Sequence, residues 1–212
     1  MTLITQVLEV AKSQVGTREV GPNNYGPRVK EYLAATGLPQ GNPWCAAFIA
    51  FCMKKAGVPR WLHSADTWAL RDWARDLRIL HDSPQRGDVF LLIDRNGDPS
   101  HTGFVHTVTG DRIGTFEGNT GGPSDTDGDG VYSKSRSAAS SLYIRWADLA
   151  ENQPKVRVTV QRNGRWVGVD CSPLVEDGAT RVDLRPLCDA LGLVVDFDPE
   201  SRSIAVYPKG IG

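Results

Sequence analysis

The hydrophobic pattern along the first third of the chain has the period of helices. Apolar residues recur at helical spacing over residues 3–15, and Gly16 follows as a stop signal. A second short helix is predicted at 27–37. The apolar run 44–53 is too short to span a membrane and is typical of a buried helix. A fourth helix is predicted to begin with Ser64 as its N-cap.

After residue 86 the pattern changes to short apolar runs and alternation. Residues 87–93 form an apolar run that predicts a strand, and Asp94-Arg95-Asn96-Gly97 predicts the turn that follows it. Further strands are expected at 101–109, 113–117, 131–132 and 142–146. Helices first and antiparallel strands second are the arrangement of an α+β domain.

A second unit is expected beyond residue 150. Strands are predicted at 156–160 and 166–169 around an Asn163-Gly164 turn, and at 194–197 and 204–207 around another turn. A short helix is expected at 183–191. Such a unit, with about 55 residues, is small for independent stability. The predicted organisation is an α+β domain at 1–150, a linker at 151–154 and a smaller β-rich domain at 155–212.

Composition and charge add limits on partners. The 212 residues carry a formal net charge of −1 and are 40% hydrophobic, as in soluble globular proteins. A net charge this close to zero does not favour binding to nucleic acid or insertion into a membrane, so neither is expected. The protein is expected to be a monomer. The first residues lack the basic and apolar regions of a secretory signal. The protein is therefore expected to be made in the cytoplasm and to reach any outside target by another route.

The cysteine at position 45 is a candidate nucleophile. Asn42 as N-cap and Pro43 as first helical residue would place Cys45 on the first turn of the apolar helix. A thiol there lies near partial positive charge and unpaired N–H groups, which favour the nucleophilic thiolate. The alternative is that Cys45 is a small core residue, as most buried cysteines are.

A nucleophilic cysteine needs a base, and the base needs an orienting group. His101 and His106 lie on opposite faces of one predicted strand because their separation is odd. His101 is preferred because it shares a face with Gly103, which leaves room for a neighbouring group. On the next strand Glu117 and Asn119 share a face, and either can accept the imidazole N–H. Taken alone, that pair is equally consistent with a turn at the end of a strand.

Together these residues resemble the CHAP family, the cysteine, histidine-dependent amidohydrolases and peptidases of bacterial cell-wall hydrolases and phage endolysins. The segments that carry the resemblance are, in chain order, Asn42-Pro43-Trp44-Cys45-Ala46-Ala47-Phe48, Arg86-Gly87-Asp88-Val89, His101-Thr102-Gly103-Phe104-Val105 and Phe116-Glu117-Gly118-Asn119-Thr120. The resemblance covers residues 1–148 and implies a papain-like α+β core. It implies that Cys45 is the nucleophile, that His101 is the base, and that Glu117 and Asn119 share the orienting and polar roles.

The same resemblance implies a peptidoglycan hydrolase of the endolysin type, which cleaves an amide bond through an acyl-enzyme and acts on the wall after holin-dependent or other release. The bond is either the muramoyl–alanine link or one within the peptides, so amidase and endopeptidase both stay open. No cofactor is required. The alternatives are a non-catalytic wall-binding or structural protein on the same fold, and a cysteine amidase of a small soluble amide.

A candidate calcium site lies between two predicted strands. Asp125, Asp127 and Asp129, followed by Gly130, match the opening of an EF-hand loop. Arg136 stands at the place of the final glutamate ligand, so the full motif fails. Calcium on the three aspartates is kept as a candidate, with a polar turn between strands as the alternative.

Two further expectations concern binding surfaces. Trp44, beside the nucleophile, is expected to line a substrate groove, whereas Trp68 and Trp73 are expected in the core. The C-terminal unit, through residues 182–192 and 195–198, resembles the small domain named after the N-terminal domain of copper amine oxidases. That resemblance implies neither copper nor catalysis. Attachment to the cell wall is expected from its position after a hydrolase, and a stabilising appendage is the alternative.

Overall fold

The chain divides into two compact units, Met1–Glu151 and Asn152–Gly212. The computed structural model describes residues 1–121, 128–151, 156–162, 165–171, 173–176, 179–182, 188, 192–198 and 203–208. Among these residues there is no helix with both the length and the apolar character needed to cross a membrane.

The first unit places its helices before its sheet, as predicted. The helices are α1 (Leu3–Ser13), α2 (Pro27–Ala34), α3 (Cys45–Lys55), α4 (Thr67–Asp76) and, at the end, α5 (Asp148–Glu151). The strands are β1 (Leu80–His81), β2 (Val89–Ile93), β3 (Pro99–Thr109), β4 (Arg112–Thr120), β5 (Gly130–Ser137) and β6 (Ser141–Ile144). The predicted α+β class is confirmed.

All six strands join one antiparallel sheet in the order β1-β6-β2-β3-β4-β5. Strands β2 to β5 form the predicted meander. Strand β6 then returns to the far side of β2, and the short β1, which the pattern did not predict, pairs with β6. The meander puts β3 between β2 and β4, so side chains from three neighbouring strands meet around the centre of the sheet.

The core lies between the helices and the sheet. Every residue from Ala46 to Met53 of α3 is buried, which confirms the buried helix that the apolar run predicted. Phe48 of α3 meets Phe104 of β3 edge to face, with ring centroids 6.3 Å apart. Because side chains alternate along a strand, the next residue, Val105, belongs to a second and smaller apolar cluster.

The helix starts differ from the predicted ones. Helix α3 begins at Cys45 without a side-chain cap, and the amide of Asn42 donates to a backbone carbonyl three residues earlier instead of capping the helix. Helix α4 is capped by Asp66, whose carboxylate accepts from the N–H of Trp68 at 2.8 Å, and not by Ser64. In both places the chain continues for two or three residues beyond the predicted cap before it turns into the helix.

The Gly-Asp pair before β2 is a structural junction. Gly87 has φ +100°, a Cβ atom on it would lie 2.6 Å from Ile4, and its carbonyl accepts from the indole N–H of Trp146 at 2.7 Å. Burial raises the pKa of Asp88, while a backbone N–H and the guanidinium of Arg145, 3.2 Å away, favour its charged form. These contacts tie the start of β2 to both ends of the first unit.

The second unit contains three antiparallel strand pairs. They are β7 (Val156–Arg162) with β8 (Arg165–Cys171), β9 (Pro173–Glu176) with β10 (Ala179–Val182), and β11 (Leu193–Asp198) with β12 (Ser203–Pro208). The first and third pairs are the predicted hairpins, and the second was not predicted. The predicted linker after residue 151 and the predicted helix, apart from residue 188, lie outside the described residues.

Candidate active site

Cys45 is the first residue of α3 and is partly exposed. The first backbone hydrogen bond of the helix runs from the N–H of Phe48 to the carbonyl of Trp44, at 2.8 Å. The N–H groups of Cys45, Ala46 and Ala47 therefore precede the helical ladder and have no acceptor within it. The thiol lies beside a cluster of backbone donors, on the first turn of the helix as predicted.

His101 on β3 connects the thiol to a carboxylate. Its Nε2 atom lies 3.0 Å from Oε2 of Glu117, and the side chain of Cys45 is close enough to the ring to raise its pKa. Because Nε2 is engaged by Glu117, Nδ1 is the ring nitrogen left for the thiol. The structure thus brings together Cys45, His101 and Glu117 in one interacting series.

The surroundings of His101 favour its charged form. Burial by itself opposes a positive charge on the ring, but the hydrogen bonds and negative charges of Cys45 and Glu117 outweigh burial and raise the pKa of His101 to about 9. The imidazolium therefore persists through neutral pH. An imidazolium of this kind is the partner that stabilises a neighbouring thiolate.

Glu117 is a fully buried carboxylate with several donors. Burial opposes its charge, but hydrogen bonds from Arg136 and His101, together with their positive charges, lower the pKa of Glu117 to about 2. Arg136 binds both carboxylate oxygens, with Nε 2.6 Å from Oε1 and Nη2 2.5 Å from Oε2. The hydroxyl of Thr115 donates to Oε1 at 2.5 Å. The acceptor for His101 is thus charged and held from three sides.

Two glycines allow the elements of the site to approach one another. A Cβ on Gly103 would lie 2.6 Å from Phe90 and 2.8 Å from Cγ of Glu117, which confirms the prediction that this position leaves room beside His101. A Cβ on Gly118 would lie 2.7 Å from both Phe48 and Trp44 at the start of α3. The absence of these side chains lets β4 contact both β3 and the N-terminus of α3.

The second candidate histidine lies elsewhere. The ring of His106 stacks on Phe116, with centroids 4.3 Å apart, and its Nε2 lies 3.3 Å from Oγ of Ser133. Burial lowers the pKa of His106, and the charge of Arg86 adds to this effect. His106 makes no described contact with the series that begins at Cys45.

Asn119 departs from the strand alternation on which its pairing with Glu117 was based. Its φ is +54°, in the left-handed region, and the register of β4 against β5 shifts between Glu117 and Thr120. Within the described residues, no hydrogen bond joins Asn119 to His101, and the partner of the imidazole is Glu117. A polar role for Asn119 stays a prediction.

Trp44 is a core residue, so its prediction as a groove residue is wrong. Its side chain is fully buried, its ring stacks on Tyr32 at 5.3 Å, and its indole N–H donates to Glu19 at 2.8 Å. The stacking on Tyr32 holds the Trp44 ring inside the core. Trp68, expected in the core, is instead 44% exposed, whereas Trp73 packs against the core.

An open groove lies beside the start of α3. It has a volume of about 540 Å³ and is lined by residues from the loop 36–43 and from the segment 63–66. Asn42 and Pro43, which lie three and two residues before Cys45, line one part of the groove, and His63 lines another part. Burial, together with the charge of Lys54, lowers the pKa of His63.

The candidate calcium site is only partly visible. Asp125 and Asp127 lie outside the described residues. Asp129 accepts from the hydroxyl of Tyr132 at 2.6 Å and forms an ion pair with Arg18 at 3.7 Å. In the part of the chain that the structure describes, no three acidic, histidine or cysteine side chains cluster as metal ligands would. Calcium at this loop stays a prediction.

Arg136 is the member of the site that the sequence analysis missed. It was noted only as the residue that breaks the calcium-loop motif. The available signal was the alternation Tyr132, Lys134, Arg136 along a strand, which puts these side chains on one face. Pairing that strand with the one that carries Glu117 would have placed a cation near the carboxylate.

A comparison with protein families matches the segment in which this site lies. Residues 37–119 match the CHAP domain family, and the matched segment contains Cys45, His101, Glu117 and Asn119. The helices and the six-stranded antiparallel sheet agree with the papain-like α+β fold of that domain. No curated protein matches the chain significantly.

The solved structures that are similar to the chain include two of Ly7917. One is the crystal structure of Ly7917, with a TM-score of 0.40 and 16% identity over 85% of this chain and 91% of that chain. The other is the crystal structure of Ly7917 with the hydrolyzing product of MDP, with a TM-score of 0.39 and 15% identity over 97% of this chain and 92% of that chain.

Proposed function

We propose that the first unit is a peptidoglycan hydrolase that cleaves an amide bond with Cys45 as nucleophile. The observation that carries this proposal is that Glu117 is hydrogen-bonded to His101, which also interacts with Cys45 at the first turn of a helix. Nucleophile, base and orienting group in mutual contact are the arrangement that nucleophilic catalysis requires. The match to the CHAP domain supports the cell wall as the source of the substrate.

In the first half of the proposed reaction, His101 holds the proton of Cys45, and the thiolate attacks the carbonyl carbon of the amide. A tetrahedral intermediate forms, with negative charge on the former carbonyl oxygen. The N–H groups at the start of α3, which have no acceptor within the helix, are proposed to stabilise that charge. When the C–N bond breaks, His101 gives its proton to the departing amine, which leaves a thioester on Cys45.

In the second half, neutral His101 takes a proton from water, and the resulting hydroxide attacks the thioester carbon. Collapse of the second tetrahedral intermediate breaks the C–S bond, releases the carboxylic acid and restores the pair of Cys45 and His101. Throughout, Glu117 holds the imidazole and offsets its positive charge. We propose that part of the substrate chain binds in the groove beside Pro43. Asn119 is proposed as a polar contact for the substrate.

Hydrolysis of purified peptidoglycan tests this proposal. The wild-type protein should release new amino groups from the wall, and Cys45→Ala should release none. Cys52→Ala is the matched control, because Cys52 lies on the same helix but is fully buried and should not be required. Equal release by wild type and Cys45→Ala, or no release by either, would reject the catalytic role. Hydrolysis of soluble amides alone would favour the small-molecule amidase.

The particular bond and the cellular role need separate tests. Mass spectrometry of the released fragments distinguishes an amidase, which cleaves the muramoyl–alanine link, from an endopeptidase, which cleaves a bond within the peptides. A lytic role of the endolysin type, acting after release from the cytoplasm, predicts lysis of bacteria whose membranes have been permeabilised. For the second unit we propose attachment to the wall. A chain lacking residues 153–212 should then lose binding to purified wall, and unchanged binding would exclude that role.

A further inference from the structure

The carboxylate of Glu117 has a second cation besides His101. The guanidinium of Arg136, on the neighbouring strand β5, binds both oxygens of Glu117 in a two-point arrangement at 2.6 and 2.5 Å. The contact surface is largely sheltered, because the side chain of Glu117 is fully buried and that of Arg136 is 22% exposed. Paired contacts of a planar guanidinium with a carboxylate define both distance and orientation.

The sheet brings these residues together. Strand β4 pairs with β5 in a register that puts Glu117 opposite Tyr132 and Ile113 opposite Arg136, so the guanidinium reaches along the face of the sheet to the carboxylate. The ring of Phe90, from β2, lies 5.7 Å from the guanidinium carbon. The guanidinium of Arg136 is thus held between the carboxylate of Glu117 and the ring of Phe90.

Burial of the Glu117 side chain makes its cationic partners important. A buried carboxylate without a charged partner would take up a proton, because the apolar surroundings penalise its charge. Oε2 of Glu117 is shared between Arg136 and His101, while Oε1 binds Arg136 and Thr115. The imidazole of His101 therefore receives an acceptor that is ionised and has little freedom to rotate.

We propose that Arg136 is a positioning residue of the active site, which keeps Glu117 ionised and correctly oriented so that Glu117 can hold His101 against Cys45. The inference rests on the proposed function for its effect on hydrolysis. Arg136 makes no described contact with the thiol, and it acts through Glu117 alone.

The other charged groups near Glu117 are accounted for. Lys134, two residues before Arg136 on the same face, donates to the hydroxyl of Thr120 at 3.2 Å and to a backbone carbonyl at 2.8 Å. Tyr132, opposite Glu117, donates to Asp129, and Arg18 lies over its ring. Among the described residues, Arg136 and His101 are therefore the cations that contact the Glu117 carboxylate.

The pH dependence of a variant gives a readout that a merely structural role would not change. In the wild type the pKa of Glu117 is lowered to about 2, so the carboxylate is ionised at neutral and mildly acidic pH. In Arg136→Met the loss of the guanidinium raises that pKa toward or above the ordinary value of 4.5, because burial is then less opposed. As pH falls through the new value, Glu117 is protonated and its charged hold on His101 is lost.

The experiment combines a carboxyl titration with a rate measurement. The ¹³C signal of the Glu117 carboxyl, assigned by its loss in Glu117→Gln, is followed in wild type and Arg136→Met. We expect no titration step above pH 3.5 in the wild type and a step at least one pH unit higher in the variant. Release of amino groups from purified peptidoglycan should fall about ten- to a hundredfold in Arg136→Met at neutral pH, and further as pH falls.

Three other variants make the result interpretable. Lys134→Met removes a cation from the same face without touching Glu117 and should keep the wild-type pH profile. Arg136→Lys retains the charge but not the two-point contact, so the carboxyl should stay ionised while the rate is intermediate. In a Glu117→Gln background, the further change Arg136→Met should cost less than threefold, because the carboxylate on which it acts is gone.

The outcomes separate this inference from the proposed function. An unmoved Glu117 titration in Arg136→Met, or a wild-type rate in Arg136→Lys, overturns the role of Arg136, and Arg136→Lys decides the matter if the Met variant does not fold. The carboxyl titration needs no substrate. A protein that releases nothing from the wall but shows the shifted titration would therefore reject the proposed function and still support the assignment of Arg136.

Discussion

Proton binding by His101 provides the sharpest test of the site. The pKa of His101 is raised from 6.5 to about 9, although burial alone would lower it. Since one pH unit corresponds to about 1.4 kcal/mol, the folded protein prefers the imidazolium by about 3 kcal/mol relative to the unfolded chain. The sign follows from the raised value. This stabilisation is fully present below pH 6.5 and is lost as pH rises through about 9.

The assay is an NMR titration of the imidazole signals. The chain has four histidines, and burial lowers the pKa values of His63 and His106, so their signals should titrate below pH 6.5. One signal should titrate near pH 9 and disappear in His101→Asn. Cys45→Ala and Glu117→Gln should each move that midpoint toward 6.5, because each removes a hydrogen bond and a negative charge from the imidazolium.

Two results would refute this reasoning. A His101 midpoint at or below 6.5 in the wild type would show that burial outweighs both partners. A midpoint that stays near 9 in both Cys45→Ala and Glu117→Gln would show that neither partner causes the rise. The positions of the other histidine signals serve as the control, since they report whether each variant keeps the wild-type fold.

Three further predictions concern the residues that shape the site. Trp44→Phe should lower the free energy of unfolding by about 1–3 kcal/mol, because the partly buried carboxylate of Glu19 loses its indole donor. The same change should leave KM for the wall unchanged. A raised KM with unchanged stability would instead support a groove role. Gly87→Ala should lower the free energy of unfolding, measured with denaturant, by about 1–3 kcal/mol. The loss should be clearly larger than in the control Gly97→Ala, where φ is also positive but the space around the Cβ is open. Equal losses in the two variants would contradict the clash at Gly87. Gly103→Ala should reduce the rate of wall hydrolysis more than tenfold, because the new methyl group would lie 2.8 Å from Cγ of Glu117. An unchanged rate would show that Glu117 tolerates the displacement.

Local patterns were sufficient for much of the fold. The helical period of the first segments, the apolar run around Phe48 and the alternation on each side of Gly110 predicted the main helices and the hairpin that carries His101. These elements follow from contacts between residues close in sequence, or from a simple division into buried and exposed faces. For the same reason the space beside Gly103 could be inferred before the neighbour that fills it was visible.

Features that depend on pairing and on shape could not be obtained in this way. The prediction that Asn119 shares a face with Glu117 requires an unbroken strand. In the structure, the register shifts after Glu117 and Asn119 itself has a left-handed backbone conformation, so the alternation is interrupted there. Trp44 is adjacent to Cys45 in sequence, but its direction is decided by Tyr32 and Glu19, which come from distant segments. Sequence adjacency to a nucleophile does not determine which side of a helix start a ring occupies.

Most helices and strands, and the first turn that carries Cys45, could be predicted from the sequence, because helix periods, strand alternation and glycine positions are local properties of the chain. Tertiary structure alone decided that Arg136 reaches Glu117, that β6 returns beside β2, and which of two polar residues pairs with His101. Each of these depends on strand register, and register is determined by the packing of whole faces and by bulges that no single segment specifies.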